Sequence, residues 1–204
     1  MASSLRQDQA RLTQRRIVEA ARALLAERGY AATTISAIAA AAGVAVPTVY
    51  KSFGTKTAIF KRAYDIAVVG DDEPVPLGAR PEAAELMAER DLGRLLTGYA
   101  SLVTTVNERT APLLTALLAA AEAGDAELRE FTASVEAERM AGNEHFARHL
   151  GAVDPAIDVD RAKDLLWLYT SPEVYRRLVQ QRDWPAAAFR AWLAESLLHQ
   201  LRSD

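Results

Sequence analysis

Apolar residues return every three or four positions through almost all of this 204-residue chain, and nowhere do they alternate long enough to make a strand. That period predicts helices throughout. A first helix from about Leu12 to Arg28 sets Ile17, Ala21, Leu24 and Leu25 on one face and stops at Gly29. Thr34 is suited to cap a second helix, which runs "ISAIAAAA" to Gly43. A short third helix is expected over about Pro47 to Phe53. A fourth opens near Thr55 and carries Ile59, Ala63, Ile66 and Ala67 at helical spacing. The Pro-, Gly- and acid-rich run "GDDEPVPLGARP", residues 70–81, is the strongest boundary. Beyond it the pattern predicts helices at about 89–109, 111–124, 126–150, 160–181 and 185–202, separated at Pro112, Gly124, Asp154-Pro155 and Trp184-Pro185. Pro172 should kink or split the fourth of these.

The composition narrows the function classes. Cysteine is absent, which excludes a disulfide framework and a thiolate metal site. No run approaches the roughly 18 apolar residues of a membrane span. The opening "MASSLRQDQARL" lacks the apolar core of a secretory signal, so a cytoplasmic protein is expected. Net charge is only −3, but residues 1–66 hold ten Lys/Arg against four Asp/Glu, a balance of +6, and the remainder carries −9. A basic head on an acidic body points to a negatively charged partner for the head.

The run "GVAVPTVYKSFGTK", residues 43–56, says what that partner is. Two helices joined by a Gly-containing turn and packed on a third make a helix-turn-helix. Gly43 can adopt the positive φ that ends the Ala-rich helix. Pro47 pre-sets the first turn of the next helix, and Val44, Val49 and Phe53 supply its core face. Thr48, Tyr50 and Lys51 are left outward beside the amide end of a short helix. Hydroxyls, ammonium groups and helix N-termini are the groups that meet phosphate oxygens. Lys56 can reach a neighbouring phosphate from the next helix, and Thr34 or Ser36 can do so from the second. The expectation is a clamp on double-stranded DNA.

The stretch "RRIVEAARALLAERGYAATTISAIAAAAGVAVPTVYKSFGTKTAIFKRAY" resembles the N-terminal DNA-binding domain of the tetracycline-repressor-like (TetR) family of transcriptional regulators, over about residues 13–64. The resemblance rests on Gly-Tyr after the first helix, Thr-Ile opening the second, then Ile-Ala, Ala-Gly-Val, Thr-Val-Tyr, the following Phe, and Lys56. It implies an all-helical homodimer, commonly a repressor released from a pseudo-palindromic operator by a small molecule bound to the C-terminal domain. Positions matching Thr34, Thr48, Tyr50 and Lys56 are implied to contact phosphates. Those matching Ser36, Val46, Pro47 and Lys51 are implied to lie near base edges. Ala45 departs from the family pattern, which often has a capping Ser there. Arg6 and Arg11 in the tail can enter a minor groove. The segment "TSPEVYRRLVQQRDWPAAAFRAWLAESLLHQL" is similar to ligand-binding halves of some actinobacterial-type members.

The expected fold is therefore all-α with about nine helices: a three-helix helix-turn-helix domain over 1–66 and a ligand-binding and dimerisation bundle over 67–204. Its last two long helices carry apolar residues on more than one face. Leu165, Leu168, Tyr169, Phe189, Leu193 and Leu197 are expected in a two-fold four-helix interface. Tyr99, Val103, Asn107, Met140, Asn143, Trp167 and Thr170 can line a pocket for a mostly apolar small-molecule effector.

His145 and His149 lie four apart on a helix, but Phe146 stands where a zinc protease needs Glu, so no metal site is expected. No phosphate-binding glycine loop, nucleophile elbow or Cys–His pair is present, and neither catalysis nor a cofactor is expected. Two other readings stay open. One is a helical sensor or scaffold working through protein contacts, and the other is a small-molecule-processing helical enzyme.

Overall fold

The computed structural model describes residues 2–73 and 75–202, with side chains from residue 8 onward. Within them every regular element is helical: α1 (Ala2–Ala32), α2 (Ile35–Ala42), α3 (Val46–Phe53), α4 (Lys56–Val69), α5 (Pro81–Ala88), α6 (Leu92–Glu122), α7 (Ala126–Val153), α8 (Val159–Tyr169), α9 (Pro172–Tyr175) and α10 (Ala186–Arg202), with a 3₁₀ turn at Leu77–Ala79. The all-α expectation holds. No single described helix is long and apolar enough to cross a membrane.

Local chemistry accounts for the helix ends. Regular helix geometry in α1 breaks at Gly29, with φ 73° and ψ 173°. Thr34 caps α2 by accepting from the Ala37 amide at 3.1 Å, and Thr55 caps α4 by accepting from the Ala58 amide at 3.1 Å. Gly43, at φ 63° and ψ 41°, closes α2 in the left-handed region. The segment after α4 holds more order than its Pro and Gly content predicts, since the 3₁₀ turn and α5 both start on prolines or next to them.

Of two breaks expected at prolines, one is absent and one is present. Pro112 lies inside α6 and does not end it. A helix tolerates proline when packing outweighs one lost amide bond, and Ala111, Leu113, Leu114 and Leu117 around it are all buried. Pro172, in contrast, splits the predicted 160–181 helix. It opens α9 behind the Ser171 cap, and a π turn at Arg176–Gln180 follows.

The chain forms two compact units. The first holds the residues up to Asp72 together with Pro112–Thr132. Its core is Ile17, Ala21, Ile38, Val49, Ile59, Phe60 and Ala63, all with no exposure. Tyr30 packs on Phe60 with ring centroids 5.4 Å apart, and Tyr64 meets Phe131 edge-on at 5.8 Å. The second unit holds Glu73–Ala111 and the residues from Ala133 onward. Its core joins Leu95, Leu96 and Ala100 of α6, Phe146 and Leu150 of α7, Leu166 of α8, and Phe189, Leu193 and Leu197 of α10.

Candidate nucleic-acid interface

In the first unit α3 is split lengthwise. Val49 is fully buried, while Pro47, Tyr50 and Lys51 are exposed and Val46 and Thr48 half-buried. The inward expectation for Val44 and Phe53 holds in part, since both are half-buried. Tyr50 keeps 54% of its surface in solvent, a large exposed fraction for an aromatic ring. Ser36 and Thr34 are exposed at the start of α2. Thr34 uses its hydroxyl oxygen as the cap acceptor, which leaves the hydroxyl proton available to an outside acceptor.

The N-terminus of α3 differs from those of α2 and α4. Ala45 has the extended N-cap conformation, φ −74° and ψ 145°, but no side chain to accept an amide bond. Pro47 lacks an N–H, and the Thr48 amide donates to the Ala45 carbonyl at 2.9 Å. At the preceding turn the Arg16 guanidinium lies against Gly43. A Cβ there would stand 2.7 Å from Arg16 Nη2.

Lys56, half-buried like Val46 and Thr48, is tied to groups of its own chain. Its ammonium donates to the Tyr30 carbonyl at 3.0 Å and sits 3.6 Å from the centre of the Tyr30 ring. Burial lowers its pKa, and the Asp125 carboxylate opposes that shift. Thr55 donates to Glu127 Oε1 at 2.8 Å, and Tyr30 Oη and Thr57 Oγ1 are 3.2 Å apart. Burial is the main cause of the raised Tyr30 pKa. Nothing in the linear pattern marked Asp125 and Glu127 as neighbours of α4, because they are some 70 residues away and their contact depends on packing.

Of the tail arginines, Arg6 lies outside the described side chains. Arg11 is carried on α1 and pairs with Asp72 at 3.6 Å, so it belongs to a helix rather than to a loose arm.

In the second unit the polar members of the expected pocket come together. Tyr99 Oη donates to Asn143 Oδ1 at 2.9 Å, and Asn107 Nδ2 donates to the Thr170 carbonyl at 3.2 Å. Tyr99 also stacks on Phe146 with centroids 3.8 Å apart. Its hydroxyl is held well above the usual tyrosine pKa by burial. All four polar residues are buried. Val103 and Met140 are half-buried. Trp167 is 38% exposed and donates from Nε1 to Glu136, while Arg139 bonds the Trp167 carbonyl at 3.0 Å.

The expected interface residues divide. Leu168 is 53% exposed, and Leu165 and Tyr169 are half-buried. Phe189, Leu193 and Leu197 have no exposure, because they fill the core of their own chain. They are not available to a second copy, and their placement there is corrected. The apolar spacing of α10 could not distinguish a core face from an interface face. His145 is exposed, and His149 Nε2 is buried without a hydrogen-bond partner. Among the described residues no group of three His, Cys, Asp or Glu is placed to hold a metal ion.

Residues 17–63 match the model of a family described as bacterial regulatory proteins, tetR family. No curated protein matches the chain. A solved structure of a transcriptional regulator from Rhodococcus sp. Rha1 is similar, with a TM-score of 0.62 at 19% identity, covering 93% of this chain and 96% of that one. At that identity the likeness establishes a shared fold.

Proposed function

We propose that this chain, whose residues 17–63 match the model of the bacterial regulatory proteins of the tetR family, is a DNA-binding transcriptional regulator that acts in the cytoplasm as a homodimeric repressor released from its operator by a small, mostly apolar ligand. The observation that carries the DNA contacts is the lengthwise split of α3, with Val49 buried and Pro47, Tyr50 and Lys51 presented outward. In this reading Thr34, Thr48, Tyr50 and Lys56 meet phosphates, and Ser36, Val46, Pro47 and Lys51 lie along base edges. Val46 and Pro47 offer only apolar contacts, such as a thymine methyl.

The dimer is supported by the solvent-facing Trp167 and Leu168 beside half-buried Leu165 and Tyr169 on α8. Two heads on a two-fold axis suit half-sites about one helical turn apart. The ligand reading is supported by the buried pairs Tyr99–Asn143 and Asn107–Thr170, groups that can exchange partners with a guest. Release needs a differential affinity of about 1–3 kcal/mol, or roughly 5–150-fold in operator binding.

The test is titration of a duplex selected from genomic fragments, repeated over salt concentration. About eight phosphate contacts per dimer give a slope of log affinity on log salt near −7. Tyr50→Phe should weaken binding on all sequences, and Lys51→Ala should also alter preference. A slope near zero, with both variants binding as the parent does, refutes the assignment.

A further inference from the structure

We infer that Asp125 and Glu127 form an acidic latch on the first turn of α4, competing with operator phosphate for Thr55 and Lys56, so that the turn between α6 and α7 sets DNA affinity. The inference rests on the DNA-binding reading and adds its regulation.

The groups meet within one compact unit. Thr55 accepts the Ala58 amide as a cap and gives its single proton to Glu127 Oε1 at 2.8 Å. That proton is spent. Lys56 has one ammonium hydrogen on the Tyr30 carbonyl at 3.0 Å, and the Asp125 charge acts on the same ammonium. Tyr30 is fixed in turn by Thr57 at 3.2 Å and by Phe60. Asp125 is fixed as well: its Oδ1 caps α7 by accepting from the Leu128 amide at 3.0 Å, behind Gly124 at φ 117°.

A phosphate approaching the start of α4 therefore meets a carboxylate already holding the Thr55 hydroxyl and a second negative charge acting on Lys56. Withdrawal of the turn frees the Thr55 hydroxyl proton, and removes the repulsion. The helices that flank this turn, α6 and α7, are the same ones that carry Tyr99, Asn107 and Asn143. The device acts on phosphate attraction alone, which is independent of base sequence.

Glu127→Gln and Asp125→Asn test this in the full-length protein, since each keeps a hydrogen-bond acceptor and loses only the charge. Glu195→Gln, an exposed change of equal charge on α10, is the control. With a genomically selected duplex at low salt, each latch variant should bind about 3–10-fold tighter than Glu195→Gln, and the double variant tighter still. The gain should shrink as salt is raised from about 50 to about 200 mM. Latch variants that match the control, or bind more weakly, overturn the latch while leaving DNA binding intact. A parent protein that binds no selected duplex overturns both.

Discussion

The missing cap on α3 can be restored. Thr34 and Thr55 each accept an amide three residues on at 3.1 Å, and Ala45 has the same extended backbone without an acceptor. Ala45 is exposed, so Ala45→Ser adds a hydroxyl without crowding. A serine cap is worth about 0.5–2 kcal/mol over alanine. The lower half of that range applies here. Pro47 leaves one fewer amide to satisfy, and the Thr48 amide already donates to the Ala45 carbonyl at 2.9 Å, so the new bond is shared. A gain of about 0.5–1 kcal/mol raises the Tm of a chain of this size by roughly 1–4 °C. Urea unfolding should show a higher midpoint at unchanged slope. Thr34→Ala is the mirror experiment and should lose about 1 kcal/mol. If Ala45→Ser leaves the midpoint unmoved while Thr34→Ala lowers it, the α3 terminus is already satisfied and the capping argument is wrong.

Three other outcomes follow from named contacts. Gly43→Ala forces a Cβ into the left-handed region at φ 63° and displaces Arg16 Nη2, so the urea midpoint should fall by the equivalent of about 1–2 kcal/mol, with Gly43→Asn milder. Tyr99→Phe keeps the stack on Phe146 but leaves buried Asn143 Oδ1 without its donor, a loss of about 1–3 kcal/mol. Adding Asn143→Leu should recover part of it in a double-mutant cycle, and strictly additive losses would count against the pair. Glu89 accepts from the Arg94 guanidinium and the Arg90 and Asp91 amides, which lower its pKa from 4.5 to about 2. Its contribution is therefore present above about pH 4.5 and lost as pH falls toward 2, and Glu89→Gln should flatten that limb of a Tm–pH profile.

The first unit was legible because its signals are short-range. Thr34 and Thr55 as caps, Gly29 and Gly43 as stops, and Val49 against Tyr50 on α3 all depend on neighbours within four residues. The second unit was less so. Apolar spacing on α10 correctly marked Phe189, Leu193 and Leu197 as facing something, but one face of a helix looks alike whether it covers its own core or a partner. Pro112 was misread because a proline's local penalty says nothing of the packing that overrides it. The segment 112–132 joins the first unit, and with it comes the Glu127 contact to Thr55. Sequence patterns of period 3.6 carry no information on that pairing.

The proposed DNA contacts and the proposed latch fit one another. In the proposed binding mode the Val46 and Pro47 side chains bring no hydrogen-bond donors to base edges, which leaves Lys51 and Ser36 as the polar groups on that face. Recognition with so little direct readout must draw its affinity from phosphate contacts and its preference from DNA shape. Phosphate attraction is the component that two neighbouring carboxylates can reduce without regard to sequence. A regulator built this way can alter how tightly it holds its operator while leaving its ranking of operators unchanged. Glu127→Gln should accordingly shift affinity for matched and mismatched duplexes by the same factor, whereas Lys51→Ala should change their ratio.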